Sequence, residues 1–204
     1  MKLYYKPGAC SMAAHILLSE TNAPYSLEKV DTIAGTTETG ADYIAINPRG
    51  YVPALELDNG AIITENIALL QFLAGQFPEL GLEPPEGELG QIRVLEALSY
   101  LSSELHKAFT PFFSARVMGP EEKAAAHAKL SSSIGQIEAM LSDGRPYLTG
   151  TDITVADFYA FVILNWTNFI DVSLQPWPKT TAFVEKIAQR PSVQRVLKKE
   201  GLAA

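Results

Sequence analysis

Cys10 is the only thiol in 204 residues, and its neighbours are of the kinds that hold sulfur as a thiolate. The short apolar run Lys2-Leu-Tyr-Tyr5 precedes it and a Pro7-Gly8 turn delivers it. Ser-Met-Ala-Ala-His-Ile-Leu-Leu then follows with the look of a helix. A thiol at a helix start meets unpaired backbone N–H groups and the positive end of the helix dipole. Both lower a thiol pKa from its free value of roughly 8.5. A lone cysteine without that setting reads as a small buried hydrophobe. The strand–turn–cysteine–helix order favours the reactive reading.

Three further groups could carry chemistry. Val52-Pro53 opens a strand, where proline fits either a cis bond or a plain sheet edge. A cis bond would turn the Val52 N–H and C=O outward, to pair with an extended peptide. Glu65-Asn66 follows a strand and opens a helix. Its free N–H donors suit a carboxylate and Glu65 suits an α-amino group, so the pair could hold an amino-acid head; a simple N-cap is the alternative. From Glu88 onward, Ser99, Ser103 and His106 fall at i, i+4 and i+7 on one stripe, about 100° around the helix from the apolar face. That stripe would overlook a cleft, and Ile92 and Leu95 on the same side suit a protein interface. His106 could donate to a nearby sulfur or take its proton, or be an ordinary surface histidine.

His15 and His127 read as structural or solvated. No histidine, cysteine and carboxylate set has metal-ligand spacing, and there is no glycine-rich phosphate loop or nucleophile elbow.

The elements that must position these residues fall into two kinds. Residues 1–80 read β-α-β-α-β-β-α: strand 2–5, helix 11–21, strand 25–30, a Thr/Gly-rich loop 32–40, helix 41–46, strand 52–58, strand 61–64 and a helix from 65 to about 77. Asn59-Gly60 predicts a type I′ hairpin turn, in which both central residues need positive φ. Residues 81–87, rich in Pro, Gly and Glu, predict a linker. Residues 88–204 predict an all-helical domain: 88–118 with a kink at Pro111, 120–141, 155–169, 179–189 and a last helix after Pro191. Thr154-Val-Ala-Asp157 resembles a capping box, and the helix it opens is apolar on nearly every side, which predicts a buried centre.

Composition narrows the partners. A net charge of −7 argues against nucleic acid or an anionic membrane as partner. One cysteine forms no internal disulfide. With no basic-then-apolar leader and no apolar run of ~18 residues, a cytoplasmic protein is expected.

Taken together these pieces resemble the glutathione S-transferase family, and within it the bacterial, cysteine-containing beta class, over essentially the whole chain. The shared pieces are Lys2-Leu-Tyr-Tyr5 with Pro7-Gly-Ala-Cys-Ser11, Asn47-Pro-Arg-Gly-Tyr-Val-Pro53, Glu65-Asn66, Ser103-Glu-Leu-His-Lys107 and Thr154-Val-Ala-Asp157. The resemblance implies an α/β thioredoxin-like domain followed by an all-α domain, in a homodimer that conjugates glutathione, as co-substrate and without a metal, to small hydrophobic electrophiles in detoxification.

It also implies roles for individual residues. Cys10, Ser11 and His106 would act on the sulfur, and Tyr5, Val52 and a cis Pro53 would meet the extended tripeptide. Glu65 and Asn66 would hold its γ-glutamyl end, and Ser99, Ser103 and Glu104 would complete the site from the neighbouring subunit. Phe109, Phe112, Phe113, Arg116 and Trp166 would line the electrophile pocket, or else be core. Gly35 stands where class members often carry lysine, Ser99 where asparagine is usual and Asn66 where serine is usual. Cys10-Ser-Met-Ala13 lacks the resolving thiol of a dithiol oxidoreductase, so Cys10 could form only a mixed disulfide with glutathione. A related glutathione-dependent enzyme (dehalogenase, isomerase or disulfide reductase) and a non-catalytic carrier are the alternatives.

Overall fold

The computed structural model describes residues 1–21, 23–82 and 87–202. It divides into two compact units, Met1–Glu83 with Gln189–Ala204, and Pro84–Ala188. Of the expected linker 81–87, residues 83–86 lie outside the described residues.

The first unit is a mixed five-stranded sheet with helices. In chain order it runs β1 (Lys2–Tyr5), α1 (Met12–Glu20), β2 (Ser26–Asp31), β3 (Thr36–Thr37), α2 (Tyr43–Ile46), β4 (Ala54–Glu56), β5 (Ile62–Thr64) and α3 (Asn66–Gln76). The strand order is β3-β2-β1-β4-β5. β1 and β2 are parallel with Leu3 beside Leu27, whereas β4 runs antiparallel to both β1 and β5. This is the thioredoxin-like alternation expected, with one strand added. β3 is two residues long and pairs Thr37 with Val30 inside the stretch expected to be loop.

The β4–β5 turn also differs from expectation. Gly60 has φ +82°, but Asn59 does not take a positive φ. The Gly60 N–H donates to the Leu57 carbonyl (2.9 Å) and the Leu57 N–H to the Ala61 carbonyl (2.9 Å). That is a three-residue loop, Asp58-Asn59-Gly60, with a tight turn followed by a left-handed glycine, and not a two-residue type I′ turn. The Asn59 side chain accepts from the Ala61 N–H (3.0 Å), which favours this geometry.

Although the sequence placed residues 88–204 together, the last helix, α9 (Pro191–Lys199), belongs to the first unit, where it packs along α1. Both helices bury apolar side chains, including Ile16, Leu17, Val193 and Val196. Polar ties flank this seam: Ser192 Oγ donates to Glu20 (2.6 Å) and Arg195 to the Ser19 carbonyl (2.7 Å).

Just beyond α9, Glu200 is buried against the start of α1. One carboxylate oxygen accepts from His15 Nδ1 (2.7 Å), and the other accepts from the Gly8 backbone N–H (2.8 Å). The His15 and Glu200 side chains are 0% exposed, so His15 is structural.

The second unit is helical: α4 (Gly87–Tyr100), a π turn (Leu101–Leu105), α5 (His106–Phe109), a 3-10 turn (Thr110–Phe113), α6 (Pro120–Met140), α7 (Val155–Asn165), a 3-10 turn (Trp166–Phe169) and α8 (Pro178–Ala188). As expected, α7 is its buried centre: every residue from Val155 to Leu164 is buried. Asp157 anchors it, with one carboxylate oxygen accepting the Thr154 N–H (2.7 Å) and hydroxyl (3.1 Å) and the other the Leu148 N–H (2.8 Å). Burial pushes its pKa up to about 6 against the pull of these hydrogen bonds.

The long helix expected over 88–118 ends its helical run at Phe113 and holds the π turn in its middle. Among the described residues, no helix is long and apolar enough to cross a membrane, and no group of three His, Cys, Asp or Glu could hold a metal ion.

Replacing Glu200 with alanine strands two buried donors, each of which costs about 1–3 kcal/mol when left unpaired. We therefore expect Glu200→Ala to lower unfolding stability by about 2–4 kcal/mol in urea titrations of the full chain. A loss below ~0.5 kcal/mol would show that the tie is dispensable.

Candidate active site

In the first unit, the loop between β1 and α1 presents Cys10. Its backbone closes into tight turns: the Ala9 N–H donates to Lys6 O (3.0 Å), Met12 N–H to Ala9 O (3.0 Å) and Ala13 N–H to Cys10 O (3.1 Å). Gly8, at φ +72°, supplies the left-handed step that L side chains avoid. The fully buried Ser11 hydroxyl accepts from the Lys6 N–H (3.2 Å) and lies 3.3 Å from the Lys6 carbonyl. Its oxygen is thus committed to holding the loop.

Cys10 is half-buried and its thiol donates to the Val52 carbonyl at 3.3 Å. The Val52-Pro53 bond is cis. The residue before it is held too, because the Tyr51 carbonyl accepts from the Tyr43 hydroxyl (2.7 Å) and the Asn47 amide (2.6 Å). Burial pushes the Tyr43 phenol up to about 12, so it stays a donor at every working pH. The Tyr5 ring packs 5.7 Å from that of His15.

At the start of α3, Glu65 adopts φ +69°, a strained backbone for a non-glycine residue. Its carboxylate pairs with Arg49 at 3.1 Å, and both side chains are largely exposed. Asn66 is buried, and neither its amide nitrogen nor its oxygen has a hydrogen-bond partner. Buried amides without partners are rare, and this one sits at a helix N-terminus.

In the second unit the π turn breaks the expected stripe. A turn of i→i+5 geometry carries one residue more than an α turn and swings the next residues by about 100°. Ser99 and Ser103 therefore stay exposed, with their hydroxyls on the Leu95 (2.7 Å) and Ser99 (2.9 Å) carbonyls. Glu104 is exposed and pairs with Lys129 at 2.6 Å. His106 no longer shares their face. Its Nδ1 lies 2.8 Å from the Tyr159 hydroxyl on α7, and the Trp166 ring meets it at 4.8 Å, nearly perpendicular. Burial, with the Lys107 charge acting in the same direction, pushes the imidazole down to about 4.

Next to His106 stands an aromatic wall. Phe109 and Phe113 stack at 6.3 Å with 12° between ring planes, and Trp166 meets both edge-on at 5.6 and 5.4 Å. Phe109 and Trp166 are buried, but Phe113 is 51% exposed and leaves the wall open at one end. Phe112 packs on His127, and exposed Arg116 pairs with Glu122. The structure thus brings together Cys10 with Val52, Glu65 with Asn66, and His106 with Phe109, Phe113 and Trp166. Arg49 and Tyr159 were missed by the sequence reading, since no local spacing marks either one.

This fold and these residues have counterparts. Residues 8–76 match the family model described as glutathione S-transferase, N-terminal domain, and residues 100–191 the one described as glutathione S-transferase, C-terminal domain. The chain is 40% identical over 203 residues to glutathione S-transferase GstA of Escherichia coli O157:H7, covering 99% of this chain and 100% of that protein. A sphingomonad glutathione S-transferase solved in complex with glutathione superposes with TM-score 0.93 at 44% identity, over 100% of both chains. The bacterial beta class enzyme of Sphingomonas chungbukensis does so with TM-score 0.93 at 42% identity, also over 100% of both. The chain belongs to the glutathione S-transferase family. Its structural neighbours place it with the bacterial beta class.

The depressed imidazole makes stability depend on pH. Because His106 falls from 6.5 to about 4, the unfolded chain binds a proton between those values that the folded chain does not. Stability therefore drops as pH falls from 6.5 to about 4, by at most about 1.4 kcal/mol per unit from this group. Urea midpoints of wild type and His106→Asn across this window should show a smaller drop in the variant. Parallel curves would mean that His106 titrates normally.

Proposed function

We propose that the chain is a glutathione transferase that joins the glutathione sulfur to small hydrophobic electrophiles. The observation that carries this reading is Asn66, buried at the start of α3 with both amide atoms unpartnered beside a strained, exposed Glu65. A donor, an acceptor and a carboxylate at a helix N-terminus match the carboxylate and ammonium of a γ-glutamyl group. Val52 supports the same reading. Its carbonyl accepts the thiol proton of Cys10, a weak bond that a peptide N–H would replace. The Val52 backbone would then pair with the cysteinyl residue of an extended tripeptide, with Tyr5 and Pro53 flanking it.

In conjugation, the thiol of glutathione loses its proton to water. The thiolate attacks the electrophilic carbon, an S–C bond forms, and the leaving group departs with its electron pair. Donors fixed before the reaction stabilise the thiolate; we assign this to the backbone around Cys10 and Ser11. Phe113, open beside Phe109 and Trp166, suits a planar or apolar electrophile.

Cys10 adds thiol–disulfide exchange in this proposal. Its thiolate attacks the glutathionyl sulfur of a mixed disulfide and releases the other thiol. A second glutathione thiolate then frees Cys10 and leaves as glutathione disulfide.

A homodimer and a cytoplasmic location complete the reading. Leu89, Ile92 and Leu95 are 64%, 56% and 42% exposed at three-residue spacing on α4, an apolar stripe that a second copy would cover. Ser99, Ser103 and Glu104 continue that helix and would reach the partner's glutathione.

Retention on immobilised glutathione, then the thiol–haloarene rate, tests the proposal. Asn66→Ala should weaken glutathione binding about tenfold, equivalent to about 1.4 kcal/mol. Cys10→Ala should abolish mixed-disulfide reduction and alter the conjugation rate. A chain that neither binds the column nor loses either activity in Cys10→Ala would refute the reading. Ile92→Glu should convert a dimer to a monomer by sedimentation; an unchanged mass would place the interface elsewhere.

A further inference from the structure

Within the second unit, a cavity of about 230 Å³ lies between the end of α6, the loop that follows it and one face of α8. Its floor is apolar, formed by Leu141 and Pro146 on one side and by Ala182 and Phe183 of α8 on the other. Lys179 and Lys186 stand at its rim. With Ala182 and Phe183 they fall at three- and four-residue steps on one stripe of α8. The lining shares no residue with the aromatic wall around His106.

The charges around this cavity do not cancel. Arg145 also lines it, but Asp143 answers that guanidinium through both carboxylate oxygens, Nη2 to Oδ2 at 2.6 Å and Nε to Oδ1 at 2.9 Å. The two lysines meet neutral groups instead: Lys179 Nζ donates to the Ser142 carbonyl (3.0 Å), and Lys186 Nζ lies 4.1 Å from the centre of the Tyr147 ring. A carbonyl or a ring contacts an ammonium without neutralising it, so both positive charges persist at the rim of a cavity in a chain of net charge −7. Glu138 sits at the Lys179 end, where it accepts the Lys179 N–H (3.1 Å), the Thr180 N–H (2.8 Å) and the Thr180 hydroxyl (2.9 Å). It takes up the first backbone donors of α8 and weakens the positive field there. Lys186 is the stronger pole.

An apolar floor under a positive rim selects a molecule with the two complementary halves. Cavities for drug-sized ligands run to about 300–1,000 Å³, so this one suits a body of about one ring. A bare inorganic anion would leave the floor without contacts, and a neutral ring would leave the lysines unanswered. A flat ring also gains edge or offset contact with Phe183. We propose that this cavity binds a small aromatic carboxylate, its ring on the floor and its carboxylate between Lys186 and Lys179. The site lies wholly within the second unit and does not rest on the conjugation reading.

Amide correlation spectra of the nitrogen-15-labelled full chain, titrated with benzoate, test it. Benzoate should shift the amides of Leu141, Gly144, Ala182 and Phe183 with a Kd of about 0.1–1 mM, as its roughly nine non-hydrogen atoms allow. Lys186→Gln should weaken binding about tenfold and Lys179→Gln about threefold. Raising NaCl from ~0.05 to ~0.5 M should weaken it at least about threefold. Ala182→Asp, which sets a carboxylate among the lysines, should abolish the shifts while the rest of the spectrum stays that of the folded chain. Benzyl alcohol and inorganic phosphate should each bind at least about tenfold more weakly than benzoate. No shift at these amides up to ~10 mM benzoate, equal binding of either control, or lysine variants that bind like the wild type would overturn the proposal. So would benzoate shifts that vanish on adding ~10 mM glutathione, because they would put the benzoate in the glutathione site.

Discussion

A carboxylate taken out of water must find donors for its lone pairs, and the first unit is arranged around one that does. Glu200 is buried, and its two oxygens are answered by His15 on α1 and by the backbone of Gly8. Because Gly8 lies two residues before Cys10, the same carboxylate that seats α9 also fixes the path of the loop presenting the thiol. Ser11 closes that loop from inside through Lys6, and Tyr43 and Asn47 hold the opposite wall at Tyr51. The sulfur thus meets the Val52 carbonyl between two supports.

The helical unit solves a different problem. α7 is apolar nearly all round and buried from Val155 to Leu164, with polar ties at its N-terminus and at Tyr159. Asp157 takes three donors at the N-terminus. The Tyr159 hydroxyl lies against His106. The π turn makes that meeting possible while leaving the two serines outward, so one helical segment serves two directions with residues only three positions apart. Hydrogen bonds of i→i+5 geometry are poorer than those of an α-helix, and such turns persist mainly where they aim a side chain.

How much of this was legible in the sequence depends on the range of each interaction. Cys10 after Pro7-Gly8, the acid at Asp157 three residues past Thr154, and the apolar run from Val155 are local signals, and all three features appear where they were read. The missed features are of other kinds. Asn59-Gly60 does make a hairpin, but one residue more in the loop changes its type, and the pattern Asp-Asn-Gly does not distinguish the two. Thr36 and Thr37 pair with β2 over too short a run to show periodicity. The stripe of Ser99, Ser103 and His106 assumes a constant 3.6-residue period, which the π turn violates. Glu200, Arg49 and Tyr159 act on partners 185, 16 and 53 positions away, beyond what spacing encodes.

The return of α9 also bears on how the chain is made. The carboxylate that bonds Gly8 lies 192 positions later in the chain. At about 5–20 residues per second, a ribosome delivers it about 10–40 s after the loop it holds. During that interval α1 has emerged without α9, and the side chains that α9 covers lack that cover while the helical unit is synthesised. The second unit thus has all of its residues before the first does, although the first is begun earlier.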